Sequence, residues 1–347
     1  MAPSLRRWAH VSWKKGGSDL THRLLEVGGH TVVLTDPERR VLGDQGPTKA
    51  ELLAYYIKVG PRIVPFLRGR PISAVLLPDQ STQEFRFART TPPGWPSRLP
   101  TYQLVGFGGR RMERYLSIPD SGTLAALVDS GCLSFHPWNG TAVAPLQPTQ
   151  MVFNLDPEAI AFREVRNAAL LLRDLLAMCG LTAWVKTSGG HGLHVLVPIK
   201  GRASFDDVRR VADTIVKQAI RREPRLFSRD PRRGKRRGRI LIDTSRNDSG
   251  ATIIAPYSVA VSGFVSALLD WDELRRPIYP EDFGMDGVLG REGIDLHSQA
   301  AFFAAEQSLD PLVQRQQPRR WSVAGRPHIH RDREWRLGNA PAVVSVQ

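Results

Sequence analysis

The chain has 347 residues, 41% hydrophobic and 8% aromatic, with 48 Lys and Arg against 34 Asp and Glu, a net charge of +14. That profile excludes a disordered or fibrous chain and leaves room for one large or two ordinary folded domains. The positive excess points to a polyanionic partner, the plain alternative being a basic solvated surface. Nucleic acid is favoured over a membrane, because nothing reads as a basic amphipathic helix with an apolar aromatic face. Two cysteines, Cys132 and Cys179, exclude a disulfide framework and a cysteine-based zinc site. The longest apolar stretch, 168–181, is interrupted by Arg173 and Asp174, and the N-terminus has no apolar core. No export signal and no membrane span are therefore expected, and the expected compartment is the cytoplasm, near the nucleoid.

Residues 1–30 alternate basic, Trp and Gly residues without a period and read as an irregular basic arm or an outer strand. Structure is expected to firm up at "TVVLTDPERRVL". Thr48 with Glu51 then forms a capping box ahead of a helix that Gly60-Pro61 should break. A β-type run covers 71–78, and the Pro/Gly-rich segment 90–100 is a loop. From Met151 the pattern becomes regular. A strand at 151–155 leads into a helix at 158–179. Strands "TAWVKT" and "LHVLVPI" flank "SGGHG". A second helix is capped by Ser204 with Asp207 at N3, and strands "GRILID" and "ATIIAPYSV" follow. This order is the split βαββαβ arrangement of an RNA-recognition-like core. The expected fold is α+β, with a domain over 31–290 divided into an N-terminal α/β flank (31–150) and a core (151–275). A polar basic tail is expected over 291–347, its last 30 or so residues mobile.

Three features of that core carry chemistry. In "FNLDP", alternation puts Val152, Asn154 and Asp156 on one face of a strand. "KTSGGHGLH" is a Gly-rich turn with Ser188, His191 and His194, and Asp243 ends the strand "RILID". Oxygen ligands at neighbouring strand ends suit hard divalent cations, and a Gly turn with a hydroxyl and a histidine suits a triphosphate. Each feature also has a plain reading. Asp156 before Pro157 is a helix-entry cap, "SGGHG" a hairpin turn, His194 a core histidine and Asp243 a turn cap. Phe135 and Trp138 are either base-stacking aromatics or core.

Together, "TKAELLAYYIKVGPRIVPFLRGRPI", "GCLSFHPW", "NLDP", "KTSGGHGLHVLVPI", "GRILIDTSRN" and "IIAPYSV" resemble, in order, the polymerase domain of bacterial ligase D, in the archaeo-eukaryotic primase superfamily. The resemblance runs from about Thr31 to Asp286. It implies a primase-type core that uses Mn²⁺ or Mg²⁺ to add ribo- or deoxyribonucleotides in end joining or priming. By resemblance Asp156 and Asp243 are metal-binding carboxylates, Ser188 and His194 contact the triphosphate, and His136 lies near the nucleotide. The departures are specific. The family's leading aspartate is Asn154 here, its Lys-Arg pair is Val75-Leu76, its turn lysine is His191, and Ala251, Ala260 and Ser262 replace basic positions. Losing one carboxylate lowers the charge available to two divalent cations, and losing cationic contacts weakens phosphate stabilisation. Arg246 and His191 are candidate replacements for that charge.

The run 221–239 holds ten Arg or Lys and two acidic residues. Its Arg232, Arg233, Lys235, Arg236 and Arg237 are expected to meet the DNA backbone in a salt-sensitive, sequence-independent way. Three functions follow from these readings. One is template-directed nucleotidyl transfer weakened at Asn154. The second is a degenerate relative that binds DNA ends as a scaffold. A nuclease is a third, but the chain shows no extra carboxylate cluster for it. The expected partners are DNA ends, gaps or primer-templates and NTP or dNTP. A Ku-type protein and a separate ligase are expected in trans, because the one domain and its arms account for the whole length.

Overall fold

The computed structural model describes residues 14–15, 22–78, 84–92, 95–106, 111–232, 234–236 and 238–316. Its centre is a six-stranded sheet, ordered β12 (Phe227–Ser228), β13 (Ile240–Asp243), β9 (Gln150–Asp156), β11 (Leu193–Pro198), β10 (Trp184–Thr187) and β14 (Leu268–Leu269). The four inner strands run antiparallel to one another, and β12 pairs with β13 in parallel. Helix α3 (Phe162–Met178) follows β9, and α4 (Phe205–Arg222) follows β11. The sequence β9-α3-β10-β11-α4-β13 is the expected split βαββαβ unit. Met151, Phe153 and Leu155 on one side of β9, and Val152 on the other, are all fully buried, which explains why this strand is almost continuously apolar until Asn154.

Helix α4 begins as its sequence dictates. Ser204 Oγ accepts from Asp207 N at 3.1 Å, and Asp207 Oδ2 accepts from Ser204 N at 2.9 Å. Helix α3 starts at Phe162 rather than 158, because Ala159 takes a positive φ of 49° and Ala161 is the N-cap. Asp156 therefore caps no helix.

Ahead of the core lies a flank. Here β4 (Ile72–Leu76) pairs with β5 (Arg86–Ala88), with β8 (Cys132–Pro137) and, at one residue, with β7 (Met112–Leu116), which pairs with β6 (Thr101–Val105). Helices α1 (Lys49–Leu67) and α2 (Ser121–Asp129) pack beside it. The Thr48–Glu51 capping box forms as expected. The break at Gly60-Pro61 does not: α1 continues through Pro61 and Pro65. An interior proline costs about 3 kcal/mol, and Tyr55, Tyr56, Val59, Ile63 and Leu67, all 0% exposed, more than offset it.

Three other boundaries differ from the sequence reading. Order begins before residue 31, and of the two readings of that segment it is the outer strand that forms: β2 (His22–Val27) pairs with β1 (Lys14–Lys15) and β3 (His30–Thr35). The run "ATIIAPYSV" forms only two isolated bridges. Pro256 and Tyr257, whose φ is 70°, turn the chain there, and its apolar residues serve the core as a buried irregular segment. After α5 (Met285–Leu289), the region beyond 290 continues into α6 (Glu292–Ala304) and α7 (Asp310–Gln316), with Phe302 and Leu309 buried. The expected mobile tail, 317–347, lies outside the described residues. Among the described residues, no helix is long and apolar enough to cross a membrane.

Candidate active site

Register assembles the site. Asp243 of β13 lies opposite Asn154 of β9, Asn154 lies opposite His194 of β11, and His194 lies opposite Lys186 of β10. Directly paired residues share a face, so four chemistry-bearing side chains form one row across four strands. Asp156 is two residues along β9 on that same face. A cleft of about 440 Å³ opens beside the row. Asn154, Ser188, His194, His136 and Arg246 line it together with Val75, Phe87, Arg89, Ser134, Thr252 and Ala260.

The half of the row on β10 and β11 is tightly ordered. In the turn between β10 and β11, Ser188 Oγ accepts from Gly190 N at 3.2 Å and from Gly192 N at 3.1 Å, which leaves its own proton to donate. Glycine is required at 189: its φ is 78°, and an added Cβ would come within 2.7 Å of Ala260 Cβ. His194 is 7% exposed, and its Nδ1 lies 2.8 Å from Lys186 Nζ. Burial, then the cationic neighbours Lys186 and Arg246, holds His194 well below the usual histidine range. His136 Nε2 is 2.9 Å from Ser134 Oγ, its ring meets Phe87 edge-on at 5.2 Å, and burial first, then Lys186 and Arg246, lowers its pKa to about 3. Both imidazoles are therefore neutral at neutral pH. Arg246 sits on a short turn, Ser245–Asn247, that Asn247 pins to β9 through Val152 N at 2.8 Å and Val152 O at 2.7 Å.

The carboxylate half is different. Asp243 Oδ1 accepts from Ser245 N at 2.8 Å. Asp156 Oδ2 accepts from Arg236 Nη1 at 2.8 Å, and the Arg236 side chain is only 4% exposed. Among the described residues, no group of three His, Cys, Asp or Glu is placed to hold a metal ion. The oxygens of Asp243, Asn154 and Asp156, ranged on one face, still fit the chemistry of a hard divalent cation. The fit is reduced by one charge at Asn154 and by the commitment of Asp156 to Arg236.

Several expected residues fall elsewhere. Arg236 is buried and turned inward. Its Nε donates to Asp230 O (3.1 Å), its Nη2 to Pro231 O (2.9 Å) and its Nη1 to Asp156, so it staples its own loop inward. Arg232 is exposed and bound to Asp230, Lys235 is exposed, and Arg233 and Arg237 lie outside the described residues. His191 is exposed at the turn, with its ring 6.4 Å from Phe264, and does not line the cleft. Phe135 is core, whereas Trp138 meets Tyr115 edge-on at 4.9 Å and lines a second cavity, also about 440 Å³, that shares Phe87, Arg89, Arg246 and Thr252 with the first.

Sequence reading missed Arg89, which lines the same wall as Val75, and it missed Lys186. Lys186 carried a signal, a lone lysine inside an apolar strand beside a Gly turn. Arg89 carried none that separates it from other surface arginines.

A primase-polymerase-type core is the class to which this fold corresponds. Residues 48–294 match the family described as LigD, primase-polymerase domain, and the chain belongs to that family. It is 32% identical over 233 residues to the multifunctional non-homologous end joining protein LigD of Pseudomonas aeruginosa, covering 66% of this chain and 27% of that protein. It is 27% identical over 249 residues to the bifunctional LigD of Bacillus subtilis, covering 70% and 39%. The polymerase domain of Mycobacterium tuberculosis ligase D, solved in complex with DNA, superposes with a TM-score of 0.69 at 26% identity, covering 78% of this chain and 98% of that one. The chain thus spans well under half the length of these LigD proteins.

Proposed function

We propose that the protein acts on DNA in end joining or priming, adding NTP or dNTP to a primer end by template-directed nucleotidyl transfer that is weakened at Asn154. The observation that carries this reading is the row Asp243–Asn154–His194–Lys186 beside a cleft lined by Ser188, His136, Arg89 and Arg246. Ser188 and His194 donate to the phosphates of the nucleotide, and Arg246 and Arg89 supply positive charge where the family's Lys-Arg pair is missing. Asp243, Asp156 and Asn154 would hold Mn²⁺ or Mg²⁺, which when bound offsets charge on the phosphates. Phe87 shapes the wall between the two cavities, next to which a base is accommodated. The DNA backbone is met by the exposed part of the basic loop, Arg232 and Lys235. A Ku-type end-binding protein and a separate ligase are the proposed partners in trans, in the cytoplasm at the nucleoid.

A second reading, a non-enzymatic DNA-end-binding or scaffold module, is favoured by Asn154 together with the Asp156–Arg236 pair. Primer extension by the wild type and by Asn154→Asp, each in Mn²⁺ and in Mg²⁺, separates the two. The first reading expects slow extension that Asn154→Asp accelerates. No product from either protein, with salt-sensitive binding to DNA ends retained, establishes the second.

A further inference from the structure

Lys186 is the one chemistry-bearing residue of the row that the proposed reaction does not use. It lies in the middle of β10, is 0% exposed, and makes no ion pair with any acidic group among the described residues. A buried lysine without a counter-ion is costly unless its donors are placed. Here they are. Nζ is 2.6 Å from Ser266 Oγ, 2.8 Å from His194 Nδ1 and 3.5 Å from Thr187 O. Ser266 Oγ lies 2.9 Å from Thr187 O and spends its single proton there, so towards Lys186 it accepts.

The three contacts of Nζ match the three N–H groups of an ammonium, which has donors only. As an ammonium, Lys186 directs a proton at His194 Nδ1. An imidazole that accepts at Nδ1 carries its proton on Nε2. Nε2 is then the ring's remaining polar atom, in a residue that lines the cleft. A ring with the opposite tautomer would present a lone pair to an incoming anion.

We propose that Lys186 is a positioning residue that fixes the ring orientation and the Nε2–H tautomer of His194, so that the cleft presents an N–H donor to a phosphate oxygen. The phosphate part of this assignment rests on the nucleotide reading above; the tautomer part does not. Lys186 thereby acts on the ligand without touching it, and the row works as a chain from Ser266 through Lys186 to His194.

The test uses the full chain labelled with ¹⁵N-histidine, without nucleotide, and reads ring tautomers from long-range ¹H–¹⁵N correlations. His194 is assigned by the signals that His194→Gln removes. The wild type is expected to show His194 protonated at Nε2, and Lys186→Met, which keeps the length and removes the donor, is expected to shift it towards a mixture of tautomers. Calorimetry with inorganic tripolyphosphate is the second readout. Lys186→Met is expected to weaken binding by about tenfold, the scale of one hydrogen bond to a charged group. An Nδ1–H tautomer in the wild type, or an unchanged tautomer in Lys186→Met, overturns the proposal. The wild-type spectrum alone decides the matter if the variant does not fold. If the tautomers behave as expected and tripolyphosphate does not bind the wild type, the positioning role stands and the nucleotide reading of the cleft falls.

Discussion

The two halves of the site are built on the same row of strands and to different standards. On the side of β10 and β11, Ser188, His194 and Lys186 are locked by hydrogen bonds at 2.6–3.2 Å, and their surroundings keep the histidines neutral. On the side of β9 and β13, one expected carboxylate is the amide of Asn154 and another is tied to Arg236. The half on β10 and β11 thus arrives organised, whereas on the proposed function a cation bound on the other half would have to part an ion pair. A site of this kind is expected to lose affinity for metal before it loses affinity for phosphate.

The largest effect that would break this contrast lies in the organised half. His194→Ala is expected to weaken dATP binding by about a hundredfold, since it removes a hydrogen bond to a charged group and leaves Lys186 buried without its partner. Isothermal calorimetry on the folded variant checks it, and a change of less than threefold would mean that the two halves are not unequal. Next comes Arg236→Ala. Because Arg236 makes bonds to Asp156, Asp230 and Pro231 while buried, the variant is expected to lose about 2 kcal/mol of stability in urea unfolding. A purely DNA-binding arginine would leave the unfolding midpoint where it was.

In the other half, Asn154→Asp restores a charge between Asp243 and His194 and is expected to raise Mn²⁺ affinity by about tenfold, as ligand charge count sets divalent affinity. Titration followed by the Mn²⁺ electron-spin signal reads it directly. His136 supplies a test by pH. Its pKa is lowered from the ordinary 6.5 to about 3, so between these values the unfolded chain binds a proton that the folded chain refuses. Stability therefore falls as pH falls from 6.5 towards 3, at most by about 1.4 kcal/mol per pH unit from this residue. His136→Gln is expected to flatten that slope in denaturant melts run across the window.

How much of this was legible depended on whether the determining contacts were local. The caps at Thr48 and Ser204, the alternation in β9 and the Gly turn before β11 are short-range patterns, and each produced the element it predicts. Asn154, Asp243 and His194 were legible as ends of strands whose order the βαββαβ rule fixes. Non-local contacts were not legible. The continuation of α1 through Pro61 depends on core packing, the loss of a strand at 251–259 on a bend at Tyr257, and the inward turn of Arg236 on a carboxylate 80 residues away in sequence. Arginine in a basic loop has the same sequence signature whether it faces phosphate or holds an aspartate.

That ambiguity makes the basic loop the place for the smallest and finest test. Arg232 is not a fully available cation, because its Nε and Nη2 grip Asp230 at 2.9 and 2.8 Å. The pair is close to neutral as seen by a distant phosphate. Lys235 in the same loop is exposed and pairs with no acid among the described residues. Lys235→Ala should therefore lower the slope of log affinity against log salt by about 1, the effect of one phosphate contact. Asp230→Asn should move binding the other way, since it releases Arg232 to the DNA at the loss of one local repulsion. Fluorescence anisotropy of a labelled blunt duplex across 50 to 200 mM salt, roughly the range over which counterion release is resolved, measures both. Equal and opposite shifts in the two variants place the loop on the backbone. A null result in both removes the loop from the DNA interface and leaves Arg236 as its only assigned contact, made inward to the site.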